Sequence, residues 1–112
     1  MTETVTLADI EAARDRFDDP AIVRRTPIET NRSLSEMSGA DVHLKMEHLQ
    51  RTGSFKTRGA YNKLKQEAGS DKHVVAASAG NHAQGVALAA TTVGLESTIV
   101  MPENAPQTKV DA

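Results

Sequence analysis

The residues in this chain best suited to chemistry stand in one run, Gly53-Ser54-Phe55-Lys56-Thr57-Arg58-Gly59-Ala60. Ser54 can act as the N-cap of a helix, which puts Phe55, Lys56 and Thr57 in its opening positions. Lysine is ordinarily favoured at the other end of a helix, because the N-terminus carries partial positive charge. That field disfavours the ammonium form, so a poorly solvated lysine there is held more readily as the free amine. A neutral amine is what a Schiff-base nucleophile needs. The plainer alternatives are a solvated surface lysine at Lys56 and a core anchor at Phe55.

A second run, Ser78-Ala79-Gly80-Asn81-His82, follows the apolar stretch His73 to Ala77 and reads as a tight turn into a helix. Free N–H groups at a helix start bind anions, and Gly80 lets the backbone come close to a ligand. The Ser78 hydroxyl is placed for a carboxylate, or simply completes the turn. Asn81 is a natural N-cap for a helix running to about Val93. His82 has no second ligand at metal spacing, and His43, His48 and His73 are scattered, so no metal site is expected.

The elements that must position these runs follow from local signals. Thr6-Leu7-Ala8-Asp9 resembles a capping box, with Leu7, Ile10, Arg14 and Phe17 following at helical spacing. Asp18-Asp19-Pro20 breaks that helix, and Thr26-Pro27 forces an extended or turn conformation. Residues 33–38 predict a short helix closed by Gly39. From Asp41 to Glu47, Val42, Leu44 and Met46 alternate with His43, Lys45 and Glu47, the pattern of a half-exposed strand. Residues 54–68 predict the helix carrying Lys56, along which Arg58 and Lys63 solvate or form pairs. Residues 73–77 and 97–101 predict parallel strands covered on both faces, joined by a helix that Gly94 ends. The run Pro106 to Ala112 reads as the start of another helix. Two parallel strands cannot bury both faces and both edges, so the sequence is expected to be the front part of a longer polypeptide.

Composition narrows the function classes. The 112 residues carry a net charge of -2 with both signs interspersed, so no nucleic-acid footprint is present. Neither a membrane span nor a secretory leader is legible, and there are no cysteines for disulfides or thiolate metal sites. These readings point to a cytoplasmic α/β protein.

The run Lys45-Met46-Glu47-His48-Leu49-Gln50-Arg51-Thr52-Gly53-Ser54-Phe55-Lys56-Thr57-Arg58-Gly59-Ala60 resembles the cofactor-lysine segment of pyridoxal-phosphate enzymes of the tryptophan-synthase β-like fold (fold type II). Ser78-Ala79-Gly80-Asn81-His82-Ala83-Gln84-Gly85 is similar to that family's substrate and cofactor loop. Both are worded most like the threonine ammonia-lyases, or threonine dehydratases. The resemblance implies an α/β fold, a parallel sheet with helices on both faces that is incomplete in this chain. It implies that residues 1–50 begin the large cofactor domain and residues 51–112 begin the small one. Lys56 would hold the pyridoxal 5'-phosphate aldehyde as a Schiff base and then serve as general base. Phe55 would lie against the pyridine ring and Asn81 would hydrogen-bond its phenolic oxygen, a role that competes with capping. Ser78, Ala79, Gly80, Asn81 and His82 would hold the carboxylate of a small amino-acid substrate. The implied reaction is deamination of L-threonine, and of L-serine, in amino-acid metabolism such as isoleucine biosynthesis, by a homo-oligomer. Serine racemases of this fold place a serine where this chain has Ala79, which ranks dehydratase above racemase.

The glycines are all isolated, so no Gly-Gly run cradles a phosphate. The resemblance places that cup, and the group facing the pyridine nitrogen, beyond residue 112. A non-catalytic fragment folded against a partner is therefore a competing reading. A dinucleotide-binding domain is disfavoured, because the turn after residues 73–77 lacks the three-glycine pattern.

Overall fold

The computed structural model describes residues 3–111; Met1, Thr2 and Ala112, on which the leader reading and the end of the last helix partly rest, lie outside them. Helix α1 (Leu7–Arg16) opens on a true capping box. The Thr6 hydroxyl accepts from the Asp9 N–H at 3.2 Å while the Asp9 carboxylate accepts from the Thr6 N–H at 2.8 Å. No residue of α1 is buried; Phe17, just past its end, packs against the core. The turn at Asp19 receives the N–H groups of Ile22 and Val23 on its carbonyl, and this delivers both side chains to the interior.

Strand β1 (Ile28–Thr30) pairs antiparallel with β2 (His43–Lys45), in the register Ile28 with Lys45 and Thr30 with His43. Between them α2 (Arg32–Ser38) is capped by Asn31 and closed by Gly39 at φ 73°, a conformation glycine adopts at little cost. The predicted strand 41–47 is thus shorter. Val42, Leu44 and Met46 are half-buried as expected, but Glu47 leaves the strand and opens a 3₁₀ turn (Glu47–Leu49).

Helix α3 (Lys56–Lys65) begins two residues later than the predicted span, with Phe55 rather than Ser54 at the cap. Ser54 still contributes, since its hydroxyl accepts from the Lys56 N–H at 3.4 Å. Strand β3 (Val74–Ala77), helix α4 (Asn81–Val93) and strand β4 (Ser97–Val100) form the predicted strand–helix–strand unit, with β3 and β4 parallel. Gly94 ends α4 at φ 78°. A short α5 (Gln107–Val110) follows.

One buried cluster joins Ile22 and Val23, Ala60, Tyr61 and Leu64 of α3, Val86, Ala89 and Ala90 of α4, and Leu95. Val74, Ala76 and Ile99 face it from the sheet. The opposite sheet face is open: Val75 is 65% and Val100 53% exposed. The expectation that these strands are covered on both faces is therefore met on one face within the described residues. Strand β3 reads apolar throughout, and only half of it finds a partner here.

Candidate active site at the start of two helices

Helices α3 and α4 run side by side in the same direction. At one end, Gly85 of α4 meets the Lys56–Thr57 peptide, so closely that a Cβ on Gly85 would stand 3.2 Å from the Lys56 carbonyl. At the other end, Tyr61 and Lys65 share a cleft with Thr92 and Val93. Asn81 lies one helical turn before Gly85, so the start of α4 stands about one turn from the Lys56–Thr57 peptide. The 78–82 loop sits at the C-terminal edge of the parallel strands, where the Ser78 N–H donates to the Val100 carbonyl at 3.0 Å. That edge is where open parallel sheets bind ligands.

Lys56 is the first residue of α3 and is exposed, so the poor solvation considered for it is not met within the described residues. Its amine lies 5.4 Å from the centroid of the Phe55 ring, and Phe55 is itself 60% exposed. Phe55 is therefore no core anchor. Below Lys56 the helix is fixed from inside: Thr57 is fully buried and its hydroxyl donates to the Ile22 carbonyl at 3.2 Å.

Gly80, not Asn81, occupies the cap position of α4, and among the described residues no side chain caps this helix. Asn81 is exposed in the first helical position, which removes the conflict between capping and ligand contact. The first intrahelical bond received by Gly80 comes from the Gln84 N–H at 3.3 Å, leaving Asn81, His82 and Ala83 as the opening N–H groups. The Ser78 hydroxyl oxygen accepts from the Gly80 N–H at 3.1 Å, so its own proton remains available to donate. Ala79 is half-buried between these groups, and His82 is exposed. Among the described residues no cluster of potential metal ligands is present.

The sequence reading missed Glu47. Its carboxylate accepts from Arg58 Nε at 2.7 Å and Nη2 at 2.9 Å, from Thr26 Oγ1 at 2.6 Å and from Gln50 Nε2 at 3.2 Å. The Arg58 guanidinium, with help from Thr26 and Gln50, lowers the Glu47 pKa to about 2, against the partial burial that raises it. Arg58 thus pairs across the loop rather than along its helix, whereas Lys63 pairs with Glu67 as expected, at 3.7 Å. His43, His48 and His73 are exposed; His73 Nε2 lies 2.7 Å from Thr98 Oγ1.

L-threonine ammonia-lyase of Thermotoga maritima is 52% identical over 108 residues, which are 95% of this chain and 26% of that protein. The processed form of threonine deaminase isoform 2 from Solanum lycopersicum superposes with a TM-score of 0.71 at 39% identity, over 98% of this chain and 31% of that one. Serine racemase from Dictyostelium discoideum gives 0.82 at 38% identity, over 97% and 36%. The chain spans about a quarter to a third of the length of the relatives it matches. Residues 21–112 match the family model described as pyridoxal-phosphate dependent enzyme, and the chain belongs to that family.

Proposed function

We propose that this sequence is the N-terminal part of a longer ammonia-lyase that uses pyridoxal phosphate to deaminate L-threonine to 2-oxobutanoate, and L-serine to pyruvate. The observation that carries the reading is the shared end of α3 and α4, where Gly85, about one turn past the start of α4, meets the Lys56–Thr57 peptide. The donor set fits the aldehyde and ring of the cofactor: an exposed primary amine, an exposed aromatic face, and an exposed amide at Asn81. When bound, the cofactor supplies an electron sink for the pair left when the substrate Cα–H bond breaks.

In this reading Phe55 and Asn81 orient the ring, and the opening N–H groups of α4 with the Ser78 hydroxyl hold the substrate carboxylate. That fixes the Cα–H bond relative to the Lys56 amine, which removes the proton as general base. Loss of the β-hydroxyl as water, then uptake of water with release of ammonia, balances the reaction. Residues 1–50 and 51–112 are assigned to the large and small domains, and two separate two-stranded sheets, one in each part, support that division. The open sheet face at Val75 and Val100 supports further chain or another subunit covering it; a homo-oligomeric cytoplasmic enzyme is part of the proposal on the family resemblance alone. Since the glycine run for the phosphate is absent from these residues, the 112-residue chain alone is expected to turn over negligibly.

Serine racemase is the second reading, because a serine racemase shares the fold closely. Chiral analysis of the products from L-serine and L-threonine with the complete enzyme separates the two. Keto acid and ammonia in equal amounts from L-threonine support the lyase; D-serine as the main product from L-serine supports the racemase.

A further inference from the structure

Lys56 is exposed, so whatever holds its amine in one place must act on the backbone beneath it. Residues 47–58 fold back on themselves. Glu47 opens the 3₁₀ turn, Gly53 reverses the chain at φ 76°, and Arg58 stands two residues past Lys56 on the same helix. The base of this loop is closed by two parallel bonds from the Arg58 fork to the Glu47 carboxylate, at 2.7 and 2.9 Å. Thr26 and Gln50 take up the remaining acceptor sites of that carboxylate. Gln50 is buried and is itself fixed to Arg24, accepting from its N–H at 2.8 Å and donating to its carbonyl at 2.9 Å.

We infer that Glu47 and Arg58 are positioning residues for Lys56: their ion pair locks the base of the 47–58 loop, so the first turn of α3 presents the lysine amine in one orientation. The inference rests on the reading of Lys56 as the cofactor lysine. A partly buried ion pair is weak evidence for stability alone, because an apolar pair of similar size usually serves as well. What the planar fork adds is direction, and a lysine ammonium at position 58 keeps the charge without it.

The test uses the complete enzyme and the variants E47Q and R58K. Three readouts are compared with the parent: amide hydrogen exchange of residues 52–57 in the cofactor-free protein, the rate at which added pyridoxal phosphate becomes borohydride-trapped on Lys56, and kcat against KM for L-threonine. The expected result in both variants is faster exchange, trapping slowed about tenfold or more, and kcat reduced to match while KM stays within about threefold. Exchange and trapping within twofold of the parent would overturn the proposal, as would a rise in KM at unchanged kcat. If E47Q fails to fold, R58K decides; failure of both to fold assigns the pair to folding alone and overturns it. Absence of the Lys56 adduct in the parent itself marks failure of the underlying lysine assignment, and the proposal falls with it.

Discussion

Gly85 lies against the peptide bond that joins Lys56 to Thr57: a Cβ added there would be 3.2 Å from the Lys56 carbonyl carbon and oxygen and 3.3 Å from the Thr57 nitrogen. This contact fixes how closely the first turn of α4 approaches the first turn of α3. Gly85→Ala gains about 1 kcal/mol of helix propensity and meets an overpacking cost of about 1–3 kcal/mol. The net effect expected in the complete enzyme is a loss of about 0–2 kcal/mol in urea unfolding, together with a fall in kcat. A variant both more stable and fully active would show that the contact does not set the site.

Phe55 separates function from packing. The residue is 60% exposed, so Phe55→Ala should change stability by no more than about 0.5 kcal/mol. Cofactor affinity of the complete enzyme, followed by absorbance titration, should weaken. An unaltered affinity would return Phe55 to the status of an ordinary surface residue.

Thr57 makes the opposite prediction. It is fully buried, and its hydroxyl holds the Ile22 carbonyl under the lysine turn. Thr57→Val keeps the shape and removes the donor, for an expected loss of about 1–2 kcal/mol, measurable by denaturant unfolding.

Acid should loosen the Glu47 cluster in a defined window. The folded pKa of Glu47 is lowered from 4.5 to about 2, so the stability it contributes is fully present above 4.5 and is lost as pH falls toward 2. The amount is on the order of 1–3 kcal/mol, reduced by whatever solvent screens the pair. The difference in unfolding free energy between the parent and Glu47→Gln should shrink steadily from pH 4.5 to pH 2.5. A difference constant over that range would mean that the charge on Glu47 is not what the network stabilises.

Ala79 is the residue on which the proposed choice of elimination over racemisation rests. It is half-buried within the loop and has no proton to exchange, whereas a serine there could serve the second face of a substrate. Ala79→Ser in the complete enzyme should raise racemisation of L-serine relative to elimination; an unchanged ratio would remove this residue from the choice between the two reactions.

What was legible in the sequence was local. The capping box at Thr6 and Asp9, the helix stops at Gly39 and Gly94, and the separate strands and helix of the strand–helix–strand unit each depend on residues within a few positions of one another. Helix α3 starts later than a Ser54 cap implies, because the Ser54 hydroxyl accepts from the Lys56 N–H in a local turn and leaves Phe55 at the cap. Helix α4 instead starts one residue earlier than an Asn81 cap implies, with Gly80 at the cap and its N–H donated to the Ser78 hydroxyl oxygen. Pairings across the fold had no local signature. Strand β1 pairs with β2 across an intervening helix, and Arg58 reaches Glu47 eleven residues back around Gly53. For the site, the two runs themselves could be read, but their meeting through Gly85 could not. A glycine inside a helix signals a possible close approach without naming its partner.

The central claim is that Lys56 is the residue that binds the cofactor aldehyde. Borohydride reduction of the complete enzyme with pyridoxal phosphate, followed by peptide mass spectrometry, tests it most directly. The account predicts one pyridoxyl group per chain, on Lys56, and none after Lys56→Ala. A stable adduct on Lys45, Lys63 or Lys65 instead, or undiminished labelling after Lys56→Ala, would contradict it.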